Sequence, residues 1–469
     1  MSDQTDEQIV DALLARARTA QAAYAKDATQ DRYDQAALAV GWAIMEPARN
    51  AEMAALAVET TGLGNVTDKI TKNHRKTLGL LRDIRGVKTT GIISEDPEKG
   101  ITEIARPIGV VGCVVPSTNP IATPANNIIN ALKCGNAIIL SPSPKGIAGC
   151  ERLIGYIYAE FDKLGIDKDL VLMIPAPGTK AKTQRMLEVT DLVVVTGSQD
   201  NVRRAYSSGT PAIGVGAGNV TVIVDETADL AAAAAKIKAS KTFDNATSCS
   251  SENALVVVDA IYDDFIAEMA KVGGVTVAPE AEADVVAALW PDGKLNRHAI
   301  AKDAAPLMDV LGLKDSVPEG TEFIAVPTSG IGPDHPLSGE KLSRVVALYR
   351  AKDYDDAADI AARILEYQGA GHSIGLHSSN DARAVELGHR MPSCRIIVNQ
   401  AHCFATGGAF NNGLPFSLSM GCGSWGGNSI DENLHWKHFI NITKVAREIP
   451  EVIPEVDDIF ANYWQAAGK

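Results

Sequence analysis

Beyond residue 100 the chain alternates short apolar, β-prone runs with helical stretches, and this rhythm restricts its fold more than any other feature. Residues 109–116 (Gly109-Val110-Val111-Gly112-Cys113-Val114-Val115-Pro116) predict a strand. Thr123 as N-cap and Pro124 at the first helical position open a helix through Leu132, and Gly135 stops it. Further strands are expected at 137–140, 170–174 and 191–197, with helices at 146–164 and 179–188 between them. Strands apolar on both faces, joined by helices, predict a parallel sheet covered on both sides, the layout of a nucleotide-binding α/β domain. After Asp225 the alternation resumes, with strand candidates at 254–258, 345–349, 372–376 and 395–399. The fold class expected is therefore α/β with two such domains, which suits 469 residues. The first ninety residues read as helical, from Ile9, Leu13 and Leu14 through Ala36-Ala37-Leu38-Ala39. The segment 406–428 is rich in Gly, Asn and Ser and reads as a functional loop. The expected division is a dinucleotide-binding domain over 1–225, a catalytic domain over 226–430 and a C-terminal segment over 431–469.

Composition narrows the class. A net charge of −14 opposes a general nucleic-acid binder, which needs a basic face for phosphates. No run approaches 20 apolar residues, so no membrane span is expected. The start, Met1-Ser2-Asp3-Gln4-Thr5-Asp6, is acidic and lacks the basic, apolar pattern of a secretory signal. Seven cysteines, 113, 134, 150, 249, 394, 403 and 422, include no Cys-x-x-Cys pair. Neither a disulfide framework nor a metal site is indicated, and a reducing cytoplasm is the expected location.

Several residues carry chemistry by type and position. Cys249 lies among small polar residues just before a strand, where a thiol has access and a setting that favours the thiolate. Asn119, in Pro-Ser-Thr-Asn-Pro, follows a predicted strand, at the sheet edge where α/β proteins place their sites. Its amide suits a developing oxyanion, although Asn-Pro is also an ordinary turn. The glycine cluster 214–219 precedes a strand instead of following one, so it is not a dinucleotide fingerprint. His372, His402 and His435 are base candidates by type, each without a recognisable partner in sequence.

Together these segments resemble the aldehyde dehydrogenase superfamily, specifically its CoA-acylating branch. The resemblance rests on ordered runs between about 100 and 445. They are Pro-Ser-Thr-Asn-Pro at 116–120, Ser-Pro-Ser-Pro-Lys at 141–145, Thr-Gly-Ser at 196–198 and Gly-Val-Gly-Ala-Gly-Asn at 214–219. Phe-Asp-Asn through Cys249, His-Pro-Leu-Ser-Gly-Glu-Lys-Leu at 335–342, Gly-Ala-Gly-His at 369–372 and Gly-Cys-Gly-Ser-Trp-Gly-Gly-Asn-Ser at 421–429 complete the set.

The resemblance implies two Rossmann-like three-layer domains, an oligomerisation arm near 431–450, and roles for single residues. Cys249 is the implied nucleophile, and Asn119 with the Cys249 N–H the oxyanion site. Thr118, Ser141, Pro142, Ser143, Lys145, Thr196, Gly197, Ser198, Gly214, Val215, Gly216 and Glu340 are implied at the cofactor, Ser141 to Lys145 near the adenosine ribose and Thr196 to Ser198 at the pyrophosphate. Glu340 is implied at the nicotinamide ribose. Hydrolytic relatives carry a glutamate at the position of Gly214 that activates water. Its absence here implies an acyl-enzyme released by coenzyme A, with a thiol partly ionised near neutral pH. Ala246 replaces a glycine usual before the nucleophile, a change expected only to stiffen the turn.

The run 407–417 looks most like acylating enzymes for sulfoacetaldehyde, with those for succinate semialdehyde or acetaldehyde as alternatives. Arg344 and His402 are the expected partners of an anionic substrate. The 141–145 stretch lacks an acid for the ribose hydroxyls and carries Lys145, which favours NADP over NAD. The expected partners are a small aldehyde, coenzyme A and further copies of the chain in a homodimer or homotetramer.

Overall fold

The computed structural model describes residues 4–26 and 28–468; Met1–Asp3, part of the N-terminal stretch read above, lie outside them. In chain order the strands are β1 (Gly91–Asp96), β2 (Ile101–Pro107), β3 (Val110–Val115), β4 (Ala137–Pro142), β5 (Val171–Met173), β6 (Leu192–Val195) and β7 (Ala212–Gly214). They continue as β8 (Val220–Val224), β9 (Glu252–Val258), β10 (Gly274–Thr276), β11 (Phe323–Pro327), β12 (Val345–Ala351), β13 (Ile374–His377), β14 (Ile396–Val398) and β15 (Ile440–Ala446).

The first sheet runs β5-β4-β3-β6-β7, all parallel. Its order reverses between β3 and β6, and a crevice opens at the carboxyl ends of such a pair. The second sheet runs β10-β11-β12-β9-β8-β13-β14, again parallel. Its central strand β9 is buried at every residue. Burial of each large apolar side chain there contributes about 1.5–3 kcal/mol. Both sheets are Rossmann-like, and the α/β class expected from the strand–helix rhythm is the one observed.

Two local readings need correction. Val220–Val224 belongs to the second sheet, so the change of sheet precedes Asp225 by several residues. The helix opened by Thr123 instead spans Ala122–Lys133, and its Ile121 cap makes no side-chain bond. The Thr123 hydroxyl is buried without a partner, because the chain enters this helix in helical geometry and leaves no N-cap role for it.

Four helices, Asp6–Lys26, Gln30–Met45, Pro47–Thr61 and Val66–Ile84, pack beside the first domain. Tyr24 donates to the Leu132 carbonyl at 3.1 Å. Gly135 has φ +75°, and a Cβ there would stand 2.2 Å from the Tyr33 hydroxyl, so glycine is required on both counts. The fourth helix buries Lys69, Lys72, Asn73 and Lys76 on one face. A third, antiparallel sheet joins the hairpin β1–β2 to β15, with Ile440 opposite Pro107 and Ala446 opposite Ile101. No helix among the described residues is long and apolar enough to cross a membrane.

Candidate active site

A cavity of about 750 Å³ lies between the two parallel sheets, and Cys249 opens into it. The first sheet contributes the turns after its strands. Thr118 and Asn119 follow β3, Ser143 and Pro144 follow β4, Thr196, Gly197 and Ser198 follow β6, and Val215 to Gly218 follow β7. The second sheet contributes residues that precede its strands: Cys249 before β9, Glu340 and Leu342 before β12, and His372 before β13.

The nucleophile loop is held in an unusual conformation. Asp244, Asn245 and Ala246 have φ of 48°, 54° and 60°, three successive residues in left-handed geometry. Each non-glycine residue there costs about 1–2 kcal/mol, so the turn persists only because its surroundings hold it. Ala246 therefore carries strain that a glycine would not, which goes beyond stiffening. Asp244 is the anchor: its carboxylate accepts from Lys69 and Lys72 of the Val66–Ile84 helix, from the Thr247 hydroxyl and from the Asn65 N–H. Burial alone would raise this carboxyl, but the Lys72 and Lys69 charges outweigh it and hold it below its ordinary value. Asn245 is fixed by Arg344 and Asp303. Gly218 backs the loop so closely that a Cβ would stand 2.1 Å from the Cys249 carbonyl oxygen.

The same lysine orients the oxyanion candidate. Lys72 Nζ donates to Asn119 Oδ1 at 3.0 Å. An ammonium only donates, so this bond assigns the carbonyl side of the amide to Lys72 and leaves the Nδ2 hydrogens free. Asn119 lines the cavity with Cys249, as an amide donor to an oxyanion requires.

His372 Nε2 lies 3.3 Å from Cys249 Sγ. Its Nδ1 meets Ser373 Oγ at 2.8 Å, and Ser373 Oγ meets His402 Nε2 at 2.9 Å. Burial pushes the Cys249 thiol up to about 12, with the Glu340 charge adding to it. Burial, then Arg395, lowers His372 to about 3. Burial thus works against the thiolate expected from sequence, although Lys72 and Lys76 line the same cavity. The imidazole nitrogen stands within hydrogen-bond reach of the sulfur, the position a general base for the thiol would need. The sequence offered His372 only as a residue type, since 123 positions separate it from Cys249.

Glu340 is the only acidic side chain among the described residues lining the cavity. Burial raises its carboxyl to about 8, opposed by Lys241 and Lys341. At the far end Ser143, Thr179, Lys180, Ser198 and Arg204 line the crevice. Ser198 caps the Gln199–Tyr206 helix through the Asn201 N–H, and free N–H groups at such a start favour an anion. The Ser143 hydroxyl is buried without a partner. Crevice, helix start and unmatched hydroxyl fit a dinucleotide.

Of the residues named from sequence, Cys249, Asn119, Thr118, Ser141, Pro142, Ser143, Thr196, Gly197, Ser198, Val215, Gly216 and Glu340 line this one cavity. Four do not. Lys145 is exposed to one side of it. Gly214 ends β7, and a Cβ there would point at Val202, 2.7 Å away, and Tyr206, 3.0 Å away. Arg344, expected at a substrate anion, is held by Asn245 and by Glu322 at 2.8 Å. His402 is fully buried behind Ser373, one hydrogen bond removed from His372. The cavity is instead lined by Lys72, Arg75 and Lys76, which sequence reading passed over. Their spacing on one helix was the available signal, but a lysine row reads by default as a solvated face. His435 pairs with Glu432 at 3.1 Å and caps a short turn away from the cavity.

Comparison with known proteins agrees with this geometry. The sequence pattern of the aldehyde dehydrogenase family matches residues 2–417. A sulfoacetaldehyde dehydrogenase (acylating) of Cupriavidus necator is 54% identical over 98% of this chain and 93% of its own length. One of the same name from Bilophila wadsworthia is 42% identical over 97% and 98%. A solved acetylating aldehyde dehydrogenase of Geobacillus thermoglucosidasius superposes with a TM-score of 0.90, at 34% identity, over 96% of this chain and 98% of that one.

Proposed function

The chain belongs to the aldehyde dehydrogenase family, and we propose that it converts sulfoacetaldehyde, coenzyme A and an oxidised nicotinamide dinucleotide reversibly to sulfoacetyl-CoA. One observation carries the acylating reading: Cys249 meets a histidine in a cavity whose sole acidic lining residue, among the described residues, is Glu340, while Gly214 turns its α-carbon toward Val202 and Tyr206. No carboxylate is set to activate water at the position where hydrolytic relatives carry one, and a Cβ there would crowd the side chains of Val202 and Tyr206.

The steps follow from the groups present. Cys249 Sγ adds to the aldehyde carbon as its proton passes to His372 Nε2. The new oxyanion receives the Asn119 amide and the Cys249 N–H. A bound nicotinamide supplies the hydride acceptor, and Glu340 would hold its ribose. Loss of hydride leaves a thioester on Cys249. His372, again neutral after releasing its proton to solvent, takes the proton of the coenzyme A thiol, which attacks the thioester carbon and expels Cys249 as a thiolate. That thiolate recovers the proton from His372. His402, through Ser373, fixes the ring orientation that both halves need.

NADP is the preferred cofactor on this reading. Lys180 and Arg204 stand at the adenosine end with no acidic lining residue beside them, and Arg204 bonds only neutral groups, Gln184 and the Lys180 carbonyl. The cations favour a 2′-phosphate. Lys180→Ala should lower the preference for NADP over NAD about tenfold in kcat/KM, the loss of one charged contact. We also assign a homodimer or homotetramer and a cytoplasmic site of action. The exposed apolar residues Val452, Ile453, Val456, Ile459 and Tyr463 support the first, and seven unpaired cysteines the second.

The direct experiment follows nicotinamide absorbance with sulfoacetaldehyde, succinate semialdehyde and propionaldehyde, with and without coenzyme A. Turnover that requires coenzyme A is expected, fastest with sulfoacetaldehyde. Equal turnover without it would remove the acylating reading.

A further inference from the structure

The Val66–Ile84 helix turns three lysines inward, at positions 69, 72 and 76, with exposures of 4%, 5% and 8%. Buried lysines are ordinarily matched by a carboxylate, because an isolated charge is costly to take out of water. Lys69 and Lys72 obey this rule by sharing Asp244. Lys76, one turn further on, does not. Its ammonium donates to two backbone carbonyls, Gly407 at 2.6 Å and Ser417 at 3.1 Å. Its neighbour Arg75 donates to the Phe404 carbonyl at 3.3 Å and lies 4.9 Å from the centre of the Phe404 ring. Among the described residues neither cation has a carboxylate within ion-pair distance.

Both side chains line the cavity that holds Cys249, and Lys76 is close enough for its charge and that of Cys249 to interact. The surrounding wall is largely apolar, with Phe243, Phe404, Leu418 and Met420. In such a wall an unanswered positive charge attracts an anion far more strongly than in water. Coenzyme A and the dinucleotide bring their phosphates on long arms, whereas a short anionic aldehyde carries its charge within a few bonds of the carbon that meets Cys249.

We propose that Arg75 and Lys76 form the site for the anionic end of the aldehyde, so that the cavity selects small aldehydes bearing a sulfonate or carboxylate. The inference rests on the acylating reading above and supplies its specificity. The 406–417 segment contributes to the pocket by fixing Lys76 through its carbonyls, not by offering side-chain charges. Burial and the neighbouring Arg75 lower the Lys76 ammonium to about 7, and a bound anion would hold its proton in place.

The test compares sulfoacetaldehyde with propionaldehyde in the full chain, both with coenzyme A and NADP. Lys76→Met and Arg75→Gln should each lower the ratio of their kcat/KM values about ten- to a hundredfold, as expected for losing one charge-assisted hydrogen bond. Lys76→Arg should recover part of the ratio. A second readout needs no turnover. Ethanesulfonate should slow alkylation of the Cys249 peptide by iodoacetamide in the parent protein and fail to do so in Lys76→Met. An unchanged ratio, an equal loss for both aldehydes, or a rise only in the KM for coenzyme A overturns the proposal while leaving the acylating reading intact. If no aldehyde shows turnover dependent on coenzyme A, that reading falls instead. The alkylation arm then decides on the anion site: equal protection in parent and variant, or none in either, overturns it.

Discussion

The two parallel sheets meet the same cavity with opposite edges. The first offers its carboxyl ends, in the turns after β3, β4, β6 and β7. The second offers its amino ends, where Cys249, Glu340 and His372 precede β9, β12 and β13. At a carboxyl edge the chain leaves the strand toward a helix start, whose free N–H groups suit the phosphates of a dinucleotide. At an amino edge the chain arrives from the end of a helix, here Leu230–Thr242, and offers no such N–H groups. Burial there disfavours the Cys249 thiolate, and His372 Nε2 stands 3.3 Å from the sulfur. The first edge brings helix-start N–H groups and Asn119 to the cavity, the second the side chains of Cys249, His372 and Glu340.

The largest test of this contrast is Cys249→Ala. Acyl transfer should fall by about 10⁴ or more while NADP binding, measured by fluorescence titration, stays within twofold of the parent. Parallel loss of cofactor binding would show that the two edges do not act separately. Next is His372→Asn, which should lower kcat about 10²–10³-fold as a general base is lost. The same variant carries a stability signature. His372 is lowered to about 3 in the folded chain, against about 6.5 when unfolded. Between these values the unfolded chain binds more protons, so its contribution to stability is complete above about pH 6.5 and is lost as pH falls toward 3. Between pH 7 and 5 the loss is about 2 kcal/mol, and His372→Asn should be spared it in urea titrations at the two pH values.

Two smaller effects sharpen the comparison. Gly214→Glu restores a residue that hydrolytic relatives carry, but its Cβ would press on Val202 and Tyr206. It should cost about 1–3 kcal/mol by overpacking and yield no turnover free of coenzyme A. Rapid hydrolysis in this variant would show that the backbone here adjusts more freely than the packing implies. Ala246→Gly should raise stability by about 0.5 kcal/mol, as relief of left-handed strain exceeds the added freedom of the unfolded chain. Thermal denaturation would measure the gain; a lower midpoint would mean that the loop is held without strain.

Much of the first edge was legible beforehand. Short apolar runs ending in Pro116, Pro142 and Thr196 located β3, β4 and β6 and the turns beyond them, because a strand's period and its burial are local properties. The second edge was legible in Cys249 and Glu340, which motifs carried, and in His372 as a base candidate without a named partner. Lys72, which aims Asn119, and His372, which stands at the thiol, were not ranked by any local pattern. Arg344 was placed at the substrate because it follows Glu340 in sequence, yet its side chain turns toward Asn245 and Glu322.

The sequence alone determined the two parallel α/β units, and its resemblance to a known family implied the nucleophile, its amide partner and the missing carboxylate at Gly214. The units follow from residue order and water's sorting of apolar from polar groups along a local stretch; the site roles follow from the ordered motifs that carry the resemblance. Only the tertiary structure decided which base serves Cys249, which lysines keep a carboxylate partner and which cations face the cavity. Those depend on pairs such as Lys72 with Asp244, 172 positions apart. A charged side chain carries no mark of whether folding will bring it a counter-charge, and burial gives that difference its energetic weight.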